Sequence, residues 1–192
     1  MLKYFSIAAM VAVLIIFATL GVAGQYYVDA NKFIQPKLTQ LTPEAQRQVT
    51  CLASNIYFEA RSEPREGQIA VAFVTLNRVE SSEFPNNICD VVKQKTRVER
   101  IGDKRVVCQF SWYCESRPKW QYYNMHLTND TSVKYNDVLE VALHVYANQE
   151  KLKDPTNGSL YYHADYVKPN WRNLEKHVTI GRHIFYRTKE SI

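Results

Sequence analysis

The chain is 192 residues long, carries a formal net charge of +5 at pH 7, and is 46% hydrophobic. That length suits one globular domain plus a short extension, and a composition unusual only in its 13 Tyr and 6 Gly excludes a disordered or low-complexity protein. The positive balance fits an anionic partner or matrix as well as it fits a plain solvated surface. With no basic run and no recognised binding motif, nucleic acid is not expected as a partner.

The first element is apolar. Lys3 precedes a stretch from Ile7 to Gly24 whose one polar side chain is Thr19, and small residues (Gly21, Ala23, Gly24) close it. Residues 1–24 therefore read as a signal peptide or as an uncleaved signal-anchor helix. The run of 18 residues is long for a signal core and just enough to span a bilayer. With Lys3 left inside, both readings export the remainder, to the periplasm or cell envelope, and the second holds it at the inner membrane through residues 7–24. Residues 25–41 read as a spacer, and residues 42–192 as the folded domain.

A helix is predicted from Thr42 to Ala60, with Thr42 as N-cap, Pro43 at the first position, and an apolar stripe through Val49, Leu52, Ile56 and Ala60. Ser62-Glu63-Pro64 breaks the chain. A second helix, Arg65 to Ser81, is apolar nearly all round and so belongs at the centre of a core. Phe84-Pro85-Asn86-Asn87 turns into a short helix at Ile88–Gln94. TRVERI and KRVVCQF, flanking Gly102-Asp103, read as a β-hairpin. Residues 111–129 read as a loop, and a third main helix runs from Ser132 to Asn148. Asp154-Pro155-Thr156-Asn157-Gly158 is a turn leading to the strand SLYYHA, and VTIGRHIFYR reads as a hairpin around Gly181. The expected architecture is one helix-rich α+β domain with small β-hairpin elements.

Four cysteines (Cys51, Cys89, Cys108, Cys114) lack zinc-ligand spacing, and neither a metal nor any other cofactor is expected. One disulfide is expected among Cys89, Cys108 and Cys114, with Cys51 a buried free thiol.

Glu59 is the anomaly in the first helix. At about 100° per residue it falls about 20° from Leu52, beside the apolar stripe on the core-facing side. Desolvation there favours the protonated carboxyl, which suits a general acid near neutral pH. The plain alternative is a carboxylate at a fraying helix end, paired with Arg61 or Arg65. Gln109-Phe110-Ser111-Trp112 and Leu160-Tyr161-Tyr162-His163 set aromatic faces beside hydrogen-bonding groups, a mixture that suits a sugar. Phe110 and one of Tyr161 or Tyr162 are expected to be core. Strand alternation places Tyr161 and His163 on one face and Tyr162 on the other. His126, His144, His177 and His183 share no motif and are read as surface or packing residues.

IYFEARSEPREGQIAVAFVTLNRV, FPNNICDVV, CQFSW, DPTNGSLYYHADYVKPNW and IGRHIFYR together resemble the SleB-type cell wall hydrolase family, the spore-cortex-lytic enzymes and their bacterial and phage relatives, over about Gln46 to Arg187. The resemblance implies a lysozyme-like catalytic domain acting on peptidoglycan glycan strands, between N-acetylmuramic acid and N-acetylglucosamine. The family's essential Glu, in its EAR-x-E motif, falls on Glu59. Relatives act as lytic transglycosylases, so one carboxylate suffices where ordinary glycosidases need two at roughly 5–9.5 Å. Substrate contacts are expected from Glu63, Gln109, Ser111, Tyr161 and His163. Glu66 is read as structural and Glu63 as undecided between a second carboxylate and structure. Phe58 before the Glu and Ser62 after the Arg depart from the usual small residue and Gly, which bears on the turn rather than on the chemistry. The alternatives are a hydrolytic muramidase or phage endolysin, an amidase using Cys108 or Cys114 with His163, and a non-catalytic peptidoglycan-binding wall protein.

Overall fold

The computed structural model describes residues 37–100, 103–114 and 129–189. The apolar stretch of residues 7–24, most of the spacer and His126 lie outside the described residues. Two compact units divide the chain, residues 1–40 and 41–192, and all that follows concerns the second. Among the described residues, no helix is long and apolar enough to cross a membrane.

Helix α1 (Pro43–Ala60) begins as its sequence dictates. Thr42 is extended, its hydroxyl accepts the Ala45 N–H at 3.3 Å, and Pro43 fills the first position. Its buried stripe is Val49, Leu52, Ala53, Ile56 and Ala60. Helix α2 (Arg65–Glu80) buries Ala70, Val71, Ala72 and Val74 completely, as an all-round apolar helix must. Helix α3 (Ile88–Lys93) is capped by the Asn87 side chain, which accepts the Asp90 N–H at 2.9 Å. Helix α4 (Asn129–Asn148) starts three residues earlier than its apolar pattern announces and buries Tyr135, Val138, Leu139, Val141, Ala142 and Val145. Helix α1 packs against α2, α3 and α4, so the helical core is assembled around it.

Two small sheets complete the α+β fold. Strands β1 (Lys95–Arg100) and β2 (Asp103–Cys108) form the expected antiparallel hairpin, with Val98 opposite Arg105. The residues after it, Ser111–Tyr113, make a 3-10 turn that buries Trp112, where the aromatic-rich sequence without a period predicts a loop. Strands β3 (Tyr161–Ala164), β4 (Leu174–Ile180) and β5 (His183–Thr188) form one antiparallel sheet in the order β3-β5-β4. The second hairpin is thus extended by SLYYHA, which pairs Tyr162 with Phe185. This sheet meets α2 through a cluster of Ala70, Val74, Ile180 and Phe185, with Tyr162 and Val178 packed against it.

The disulfides agree with the sequence reading at Cys108 and Cys114, one of the pairs it allowed, and correct it at Cys51. Cys51 is bonded to Cys89, and Cys108 to Cys114. Cys51 is therefore no free thiol: the packing of α1 on α3 brings its Cα within 5.2 Å of the Cys89 Cα, a distance a disulfide spans naturally. A contact between residues 38 apart in sequence leaves no trace in either local pattern. Closing a loop of 38 residues restricts the unfolded chain, so Cys51→Ala/Cys89→Ala is expected to lose about 3–4 kcal/mol of unfolding free energy. Urea denaturation of the oxidised double variant against wild type measures it.

Candidate functional site

Glu59 occupies the last turn of α1 and is half-buried. Its carboxylate Oε2 accepts a hydrogen bond from the Tyr162 hydroxyl at 3.0 Å. The alternative partners are turned elsewhere. Arg61 Nη1 donates to the Tyr57 carbonyl at 3.3 Å with its guanidinium over the Tyr57 ring, and Arg65 pairs with Glu140 at 3.2 Å.

Tyr162 is a site residue that sequence reasoning passed over, treating one of Tyr161 and Tyr162 as plain core. It is both. Its ring packs at 5.6 Å from Phe185 and stands edge-on to His183 at 5.2 Å, while its hydroxyl reaches Glu59. Burial first, and then the charge of Glu59, push that hydroxyl well above the ordinary tyrosine value. It therefore stays protonated and donating at any working pH. The available signal was the period of the strand: residue 162 must face opposite to Tyr161 and His163, towards the helices.

Arg78 in α2 is the second residue the sequence reading missed, hidden inside an apolar helix. It is 4% exposed. Its Nε donates to the Leu160 carbonyl at 2.8 Å, and its guanidinium lies over the rings of Phe110 (4.9 Å), Phe84 (5.2 Å) and Tyr161 (6.0 Å). Burial lowers its pKa, and the neighbouring Tyr162, Tyr161 and Glu59 oppose that. An arginine starts so high that it remains a cation. The preceding Asn77 donates to Asp154 Oδ2 (3.0 Å) and lies within reach of the Ser159 carbonyl (3.1 Å). Asp154 in turn accepts the Thr156 and Gly158 N–H groups. Adjacent residues of α2 thus fasten the Asp154–Gly158 turn and the start of β3.

The other expected site residues divide. Glu63 is spent on the β4–β5 turn: its Oε2 accepts the Arg182 N–H at 2.8 Å, beside Gly181. Gly181 has φ +57°, and a Cβ there would run into the Glu63 carboxylate, so the turn needs glycine twice over. Glu66 is exposed and lines a cleft with Lys153, Asp154, His177 and Gly181, on which none of Glu59, Tyr161, Tyr162 or His163 borders. Gln109 is half-buried and Ser111 exposed, on either side of Phe110, which packs beneath Arg78. Trp112 stacks on Phe58 at 4.5 Å, and its Nε1 donates to the buried Asn55 Oδ1 at 3.0 Å. Tyr161 and His163 share the opposite face of β3 from Tyr162, around the exposed Trp171 (6.1 and 5.5 Å). The His163 ring is set by Tyr186: it stacks at 5.2 Å, and Nε2 lies 2.9 Å from the Tyr186 hydroxyl. All four cysteines are in disulfides, so neither Cys108 nor Cys114 offers a thiol to His163.

His183, read from sequence as a surface or packing residue, is buried against Tyr162. Burial is the main cause of its lowered pKa; Glu63 and Asp165 pull it up, and His163 pushes it down. The unfolded chain therefore takes up a proton on this residue before the folded protein does. The stability His183 contributes is present above about pH 6.5 and is lost as pH falls through the lowered folded value. Urea midpoints measured from about pH 7 down to pH 5 should fall, and His183→Gln should flatten that slope.

The sequence profile of the Cell Wall Hydrolase family matches residues 62–186, beginning three positions after Glu59. The spore cortex-lytic enzyme of Bacillus cereus is 31% identical over 144 residues, which is 73% of this chain and 44% of that protein. That of Bacillus subtilis is 39% identical over 61 residues, 32% of this chain and 20% of that one. The chain spans less than half the length of these curated relatives. Among solved structures, the catalytic domain of the Bacillus cereus SleB protein is 30% identical with a TM-score of 0.48, covering 74% of this chain and 91% of that one.

Proposed function

Because this chain belongs to the cell wall hydrolase family, we propose that it is a peptidoglycan-cleaving enzyme in which Glu59 serves as both general acid and general base. The observation that carries the reading is the Tyr162–Glu59 hydrogen bond, which aims a half-buried carboxylate at a defined place. The bond attacked is that between N-acetylmuramic acid and N-acetylglucosamine, and the outcome is a lytic transglycosylation on a lysozyme-like scaffold.

In this mechanism Glu59, protonated, gives its proton to the glycosidic oxygen as the bond to the muramic anomeric carbon breaks. The C6 hydroxyl of the same sugar then bonds to that carbon and returns a proton to the Glu59 carboxylate. Protons balance, no water is consumed, and an anhydro-muramic end remains. One carboxylate serves both steps. The engagement of Glu63 with the Arg182 N–H supports a single-carboxylate scheme, since the nearest candidate for a second is already occupied. Sugar contacts fall to Gln109 and Ser111 near Phe110, and to Tyr161 and His163 beside Trp171, whose rings can stack on C–H faces. Glu63 contributes by holding the hairpin turn. The two disulfides accord with an oxidising compartment outside the cytoplasm, where peptidoglycan lies, and residues 7–24 would hold the protein at the inner membrane if they are retained.

Digestion of purified sacculi with residues 25–192, followed by mass spectrometry, tests the reading. Wild type should release anhydro-muropeptides, and Glu59→Gln should lower the rate by about 100-fold or more. Reducing-end products would replace transglycosylation by hydrolysis, and intact glycan would overturn the enzymatic reading. Removing one hydrogen bond to a charged group costs about 1.5–3 kcal/mol, so Tyr162→Phe should cut turnover by roughly 10- to 100-fold while circular dichroism shows an unchanged fold.

A further inference from the structure

A buried guanidinium is unfavourable unless its charge and its donors are used. Arg78 leaves one donor idle: Nη1 is buried with no hydrogen-bond partner among the described residues. Packing alone does not call for a cation between Phe84, Phe110 and Tyr161, because a methionine would also fill that space. What distinguishes arginine here is charge, and that charge sits against β3, the strand whose Tyr162 hydroxyl bonds Glu59. Leu160, which Arg78 holds by its carbonyl, is two residues before Tyr162 on the same run of chain.

We propose that Arg78 is a positioning residue for Glu59: its buried positive charge stabilises the ionised carboxylate, and its bond to Leu160 sets β3 so that the Tyr162 hydroxyl meets that carboxylate. The proposal rests on the acid/base reading of Glu59. In that cycle Glu59 must survive as a half-buried anion between giving its proton and regaining one. Low local polarity makes a bare carboxylate costly there and a nearby cation effective. Tyr162, held in its protonated form, supplies the hydrogen bond, and Arg78 supplies the countercharge.

The titratable groups around the pair come from α2, β3, β5 and the loops that flank α2. Arg78 belongs to α2, Tyr161 and Tyr162 to β3, and His183 of β5 lies against the Tyr162 ring. Glu83, in the loop after α2, accepts a hydrogen bond from the Tyr161 hydroxyl at 3.4 Å. Glu63 is held at the β4–β5 turn, and Arg61 and Arg65 are engaged as described above.

The test combines two readouts on Arg78→Met, with Arg78→Gln read identically in case the first does not fold, and Arg78→Lys as the charge-retaining control. Carbon-13 titration of the Glu59 side-chain carboxyl should show its midpoint moved to higher pH in the Met and Gln variants and held near wild type in Lys. Turnover on soluble glycan strands should fall roughly tenfold in Met and Gln, with KM little changed and the alkaline limb of the pH profile moved the same way as the carboxyl midpoint. A Glu59 midpoint that is unmoved in both uncharged variants overturns the proposal, even if turnover falls, because a purely structural loss of the Leu160 bond would do that. If Glu59→Gln remains fully active, the acid/base reading falls instead, and the carboxyl titration still decides whether Arg78 acts on Glu59.

Discussion

The attachment of residues 154–162 to helix α2 is the constraint on which the site depends. A four-residue edge strand has little stability of its own, and β3 carries the tyrosine that reaches Glu59. Two adjacent residues of α2 secure it from different directions. Asn77 gathers the side chain of Asp154 and the carbonyl of Ser159, while Arg78 takes the carbonyl of Leu160. The turn between them is itself satisfied by Asp154, which lets Asn157 and Gly158 adopt positive φ angles (48° and 80°). With the turn and the strand's entry fixed, alternation alone sends Tyr162 inward and Tyr161 and His163 outward.

The site distributes its charges economically. The half-buried Glu59 carboxylate meets the protonated Tyr162 phenol, whose ring packs on the apolar cluster of α2 and the second sheet, and the Arg78 guanidinium lies buried among Phe84, Phe110 and Tyr161. Each acts more strongly there than it would in water. The other carboxylates near the break between α1 and α2 serve different purposes: Glu63 accepts from the hairpin turn, and Glu66 stays in solvent. This division gives two glutamates four residues apart in sequence different partners. Pro64 redirects the chain immediately after Glu63, and the close approach at Gly181 takes up its carboxylate.

A second polar thread supports the end of α1. Asn55 is fully buried, donates to Thr75 of α2, and accepts from the Trp112 indole, so all three elements are held by one side chain. Trp112 then stacks on Phe58, the neighbour of Glu59. The bulky Phe58, a departure from the small residue expected there, has a place because the 3-10 turn brings an indole over it. The Cys108–Cys114 disulfide closes that turn, and Cys51–Cys89 ties α1 to α3. Most of what keeps Glu59 in place thus lies outside its own helix.

Sequence alone determined the helices, the hairpins and the oddity of Glu59, because caps, breaks and periodicity are local properties written into adjacent residues. Thr42-Pro43 starts α1, Pro64 separates it from α2, and Gly181 turns β4 into β5. It also determined that Tyr162 and His163 must face opposite ways. Tertiary structure decided that Glu59 meets Tyr162, 103 positions away, and that Arg78, which looks from its helix like one more member of a buried apolar run, takes the carbonyl of Leu160. It likewise decided that Cys51 is bridged, that Glu63 binds a turn, and that β3 joins the second hairpin. The physical reason is common to all of these. They are contacts between elements, set by how helix faces and strand edges pack, and no local propensity records a partner that distant.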